Sequence, residues 1–136
     1  MDMPIHRPPR RRFRQGRAPV SAGSLAEVRA RIDAIDEALV GLIAERLHWV
    51  REATCFKADA EQVPAPERQQ QVFERVRALA RGRAAPPLAA DDLEAVVDAS
   101  FQALVAASIA RQRRWFDDTE PADKPDTARG ASDDNH

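Results

Sequence analysis

Residues 25–58 read LAEVRARIDAIDEALVGLIAERLHWVREATCFKA, and the spacing of the apolar side chains in this stretch decides the fold. Leu25, Val28, Ile32, Ile35, Leu39 and Leu42 recur at alternating three- and four-residue intervals, which sets them on one stripe of an α-helix. No proline interrupts the run from Ser24 to Ala60, and its one glycine is Gly41. Ser24 is suited to cap the N-terminus, with Glu27 three places on completing a capping box. A helix of about 35 residues would be about 50 Å long, longer than a small domain is wide.

Beyond Leu42 the stripe continues through Arg46, Trp49, Ala53 and Phe56, so a permanent cation falls where a core residue belongs. Burying an unpaired guanidinium costs several kcal/mol, and Arg46 therefore needs an anion. An acid on another helix would serve, and so would a bound ligand.

The rest of the chain supplies two more helices and no strand, because no segment alternates apolar and polar residues with a period of two. Pro64 and Pro66 end the first helical run, and a second helix is expected from Pro66 or Glu67, where proline's missing N–H costs nothing. Its apolar face is Val72, Phe73, Val76, Leu79 and Ala80, and Gly82 is a suitable stop. A third helix is expected from about Leu88 to Phe116. Leu93, Val97, Phe101, Leu104, Val105, Ile109 and Trp115 line its inner side, and Asp91 and Asp92 sit near its positive end. The fold class is all-α. The far half of the first helix has nothing in its own chain to cover it, so an intertwined homodimer is expected. A monomer bent at Gly41 is the alternative.

Composition bounds the remainder. The 136 residues are 43% hydrophobic and 32% charged, with net charge −1, which fits one soluble globular domain. That balance hides two unlike ends. Residues 1–23 carry Arg7, Arg10, Arg11, Arg12, Arg14 and Arg17 against Asp2, whereas residues 117–136 hold seven acids against Lys124 and Arg129. We read 1–23 as a disordered basic arm, 24–116 as the helical domain and 117–136 as a disordered acidic tail. Neither nucleic acid nor membrane is expected as a partner. Arg10-Arg11-Arg12-Phe13 lacks the following apolar stretch of an export signal, and the lone Cys55 rules out an internal disulfide, so a cytoplasmic location is expected. Cys55, Trp49 and Trp115 are expected in the core.

Several polar residues fall in line with core positions. Ser108 and Gln112 stack four residues apart on the third helix, between Leu104 and Trp115; a backbone carbonyl could satisfy either. Lys57 follows Arg46 by eleven positions, which on a continuous helix returns it to within about 20° of the same direction, about 16 Å along the axis. Arg29 lies about 25 Å the other way and about 100° round, so only an antiparallel partner helix could bring it to the same ligand. Arg68 opens the second helix, beside an end that favours anions. Nucleophile–base pairs, acidic pairs and metal-ligand clusters are not evident, and the histidines are scattered. Cations without acid–base machinery suit a reaction in which a bound dianion rearranges internally.

The segments VRARIDAIDEALVGLIAERL, FKA, VPAPERQ and SIARQ resemble the all-helical (type II) chorismate mutase family over about residues 24–116. FKADAEQVPAPER looks most like its isochorismate pyruvate-lyase branch. The resemblance implies a three-helix fold with a long first helix in an intertwined homodimer, and neither metal nor organic cofactor. It implies a dicarboxylate substrate, with Arg29 of the neighbouring subunit, Arg46, Arg68 and Ser108 as substrate-binding residues and Lys57 and Gln112 as catalytic ones. Family mutases place carboxylates at the start of the second helix, where this chain has Ala65 and Gln69. That departure implies a lyase converting isochorismate to salicylate and pyruvate, with chorismate mutase activity as a second reaction. The alternatives are a dedicated mutase and, from another class, a noncatalytic helical binding module.

Overall fold

A computed structural model of the chain describes residues 11, 23–57, 59, 62–63 and 65–121; most of the basic arm and of the acidic tail lies outside the described residues. Three helices form, α1 (Leu25–Thr54), α2 (Pro66–Arg83) and α3 (Ala90–Asp117), and no strand occurs among the described residues.

Helix α1 starts where its capping chemistry places it. The Ser24 hydroxyl oxygen accepts from the Glu27 N–H at 3.1 Å, and the Glu27 carboxylate reaches back to the Gly23 N–H at 2.8 Å. This is a capping box shifted by one donor, and two N–H groups at the helix entrance are thereby satisfied. The helix ends earlier than the expected Ala60. Successive bonds from the N–H groups of Cys55, Phe56 and Lys57 to the carbonyls of Glu52, Ala53 and Thr54, each 3.1 Å, tighten the last turn to an i→i−3 pattern. Thr54, Cys55 and Phe56 are all mediocre helix formers, and the Thr54 hydroxyl donates to the Val50 carbonyl at 3.2 Å, as threonine does where a helix bends or stops. Lys57 therefore stands beyond the helix, and the continuous-helix geometry expected for it does not hold.

Helix α2 begins at Pro66, as expected, and runs one residue past Gly82. Ala65, its N-cap, takes φ 31° and ψ 68°. Proline at 66 disfavours the right-handed helical region for the residue before it, and the left-handed turn at Ala65 starts α2 abruptly out of the preceding loop. Helices α2 and α3 lie antiparallel as a hairpin. Arg77 meets Asp98 at 3.3 Å, and Arg81 meets Asp91 at 2.9 Å and also Glu94.

What these helices bury is small. Among the described residues, Val63, Val76, Ala80 and Val105 are the buried apolar side chains. The stripe on α1 lies open: Leu25, Ile32, Ile35, Leu39 and Leu42 are exposed. Two expectations of a core position fail here, since Trp49 is 63% exposed and Cys55 is exposed. The end of α1 does meet α3, through Val50 and Gln112, but the faces that carry Trp49 and Cys55 are left open. An 18-residue window of α3 has a mean hydropathy of 1.5, long and apolar enough to cross a membrane on length and composition alone. A helix covered by protein on several sides has the same composition.

Candidate active site

A cavity of about 300 Å³ opens where the second half of α1, the loop after it, the start of α2 and the second half of α3 converge. Arg46 comes from α1, Lys57 from the loop, Arg68 and Gln69 from α2, and Ser108 and Gln112 from α3; Val50, Val63, Val105 and Ile109 supply apolar wall. Five of the six residues singled out from the sequence thus line one space. Arg29 does not: it is exposed on the first turns of α1, outside the cavity.

Each polar side chain is held differently. Arg46 is half-buried on α1, and its guanidinium carbon stands 6.0 Å from the centre of the Phe101 ring. A ring face attracts a cation without occupying its N–H donors in the way a carboxylate would. Burial, and then the like charge of Arg68, lower the Arg46 pKa from its ordinary value. The ion pairs among the described residues are Arg31–Glu27, Arg77–Asp98, Arg81–Asp91 and Arg81–Glu94. None involves Arg46, Lys57 or Arg68, so among the described residues no acid neutralises the cavity's cations. Of the two anions Arg46 could have had, no interhelical carboxylate is found among the described residues.

Gln112 is buried, and its carboxamide nitrogen donates to the Val50 carbonyl at 3.3 Å. Facing a carbonyl fixes the amide with its NH₂ toward α1, and one N–H remains free to donate. Ser108 is buried too, and its hydroxyl donates to the Leu104 carbonyl at 2.6 Å. Its only proton is thereby committed, and the Ser108 oxygen can only accept from a ligand. At the start of α2 no side-chain hydrogen bond caps the helix, whose positive end is offset in part by Glu67 in its first turn. The cavity is apolar in its walls, positive in its charge, and provided with one oriented amide donor.

Sequence reasoning missed two contributors. Phe101 reads as core from its period, and only its position beside Arg46 gives it a second role. The Val50 carbonyl is a backbone group, which no side-chain pattern marks.

Residues 28–113 match the family described as chorismate mutase type II. The match covers more than half of the chain, and the chain belongs to that family. It is also similar to a Pseudomonas aeruginosa protein named isochorismate pyruvate lyase, 38% identical over 52 residues. Those residues are 38% of this chain and 52% of the relative, so the matched stretch spans about half of that protein's length.

Proposed function

We propose that the protein is an isochorismate pyruvate-lyase that also has chorismate mutase activity. The observation that carries this reading is the cavity in which Arg46, Lys57 and Arg68 meet with no acid to balance them among the described residues. Like charges gathered at a partly covered site repel one another, and a multiply charged anion relieves that repulsion. Both substrates are dicarboxylates with an enolpyruvyl ether on a six-membered ring. Arg46, with Arg29 of a second subunit, holds the carboxylates. Lys57 and Gln112 donate to the ether oxygen as its bond to the ring breaks and negative charge grows on it, and donors fixed in advance favour that state over the bound ground state. In the lyase reaction a ring hydrogen moves to the enolpyruvyl methylene, pyruvate departs and the ring becomes aromatic. In the mutase reaction the enolpyruvyl carbon bonds to the ring instead.

The choice of lyase rests on Ala65 and Gln69, which line the cavity where family mutases carry acids, and on the name of the partial relative. The open stripe on α1 supports a homodimer in which the partner's α1 covers Ile32, Ile35 and Leu39 and brings its Arg29 to this cavity. We place the protein in the cytoplasm, without nucleic-acid or membrane partners.

Parallel kinetics on purified protein test the reading: salicylate fluorescence from isochorismate, and prephenate formation from chorismate. A larger kcat/KM for isochorismate is expected. Turnover of chorismate alone would make the protein a dedicated mutase, and turnover of neither would leave a binding module.

A further inference from the structure

We propose that Thr54 is a positioning residue that sets the geometry of Gln112 and Lys57 together, an inference that rests on the catalytic roles given to those two residues above. Thr54 does not line the cavity, yet it is 2% exposed, among the most deeply buried of the described side chains. Its two polar functions point to the two proposed donors. The hydroxyl donates to the Val50 carbonyl at 3.2 Å, and the same carbonyl oxygen accepts from the Gln112 amide at 3.3 Å. Its own carbonyl accepts the Lys57 N–H at 3.1 Å.

The Val50 carbonyl is crowded for a reason. A regular helix bond already claims it from within α1, and it has two lone pairs for three donors. A threonine hydroxyl bonded four residues back tilts such a carbonyl away from the helix axis and opens the helix locally. Tilting exposes the Val50 oxygen to α3, where Gln112 reaches it. The Thr54 carbonyl, at the last residue of α1, takes the Lys57 N–H where the chain leaves the helix, so one residue meets both groups that reach the ether oxygen.

Two replacements separate this role from packing. Thr54→Val keeps the shape and loses the hydroxyl, whereas Thr54→Ser keeps the hydroxyl and loses the methyl group. In Thr54→Val, kcat is expected to fall about 10-fold with little change in KM, less than the loss on deleting a transition-state donor outright. Thr54→Ser is expected to retain most of kcat even where it melts lower. In the Gln112→Ala background, Thr54→Val is expected to cost less than it does alone. NMR reads the geometry without turnover: the Gln112 side-chain NH₂ and Lys57 backbone N–H signals should move in Thr54→Val and stay near their wild-type positions in Thr54→Ser. Unmoved Gln112 signals in Thr54→Val would overturn the proposal, as would equal kcat losses in both variants. Wild-type protein inert toward both substrates would instead sink the functional reading, and the NMR result would still decide whether Thr54 orients Gln112.

Discussion

Arg46 and Arg68 face one cavity from two different helices, and the charge of Arg68 is one of the two causes that lower the Arg46 pKa. Arg46 is half-buried and Arg68 exposed, and like charges brought to one cavity each raise the cost of the other. The arrangement makes sense as the unliganded half of an anion complex, and it has consequences for stability as well as for binding.

Arg46→Met should be inactive yet more stable than the wild type. The folded state holds the Arg46 proton less tightly than the unfolded state does, so carrying the charge into the fold is unfavourable at every pH below the lowered pKa. The difference in Tm should therefore persist from about pH 6 to pH 9, well below the guanidinium range. A Tm lower than wild type across that range would mean that Arg46 has a stabilising partner that outweighs its burial and the repulsion from Arg68.

Lys57→Ala should reduce kcat by about 100-fold or more, as expected for loss of a donor to developing negative charge. Its stability should change by no more than about 0.5 kcal/mol, since the side chain makes no ion pair among the described residues. Chemical denaturation beside steady-state kinetics checks this. Comparable losses of both would make Lys57 a structural residue.

Phe101→Leu should raise KM about 2- to 5-fold with kcat nearly intact. The ring holds the Arg46 guanidinium by a cation–π contact at 6.0 Å, worth about 0.5–1 kcal/mol at a partly exposed site. An unchanged KM in a variant that folds normally would show that Arg46 is held by α1 alone.

Mixing Arg29→Ala chains with Lys57→Ala chains should restore part of the activity that each lacks. Arg29 lies outside the cavity of its own chain, so a heterodimer would assemble one intact site from the two chains. Subunits that exchange, as followed by mass spectrometry, without regaining activity would exclude a shared site.

Much of this was legible in the sequence, and what was not has a physical cause. The three-and-four spacing from Leu25 to Leu42 fixed helix α1, and Pro66 fixed the start of α2, because apolar period and proline geometry act locally. The end of α1 was misplaced by six residues. Apolar period extends through Phe56, whereas the helix stops where the Thr54 hydroxyl turns back on Val50, a contact no periodicity encodes. Trp49 was expected in the core because it shares the stripe of Leu39 and Leu42, and Cys55 because cysteine is commonly a small buried filler, yet a stripe says which face is apolar and not whether this chain covers it. Arg46, Lys57, Arg68, Ser108 and Gln112 reach one cavity because the second halves of α1 and α3 converge with the loop after α1 and the start of α2. That Ser108 spends its proton on Leu104 could only be seen in three dimensions.

Calorimetric titration with a ring-borne dianion, benzene-1,3-dicarboxylate, against the monoanion benzoate tests most directly whether the cavity's cations are there for a dicarboxylate. The account predicts saturable binding of the dianion at one site per chain, weakened by salt, far tighter than benzoate and abolished in Arg46→Met. Equal affinity for the two ligands, or dianion binding that survives in Arg46→Met, would contradict it.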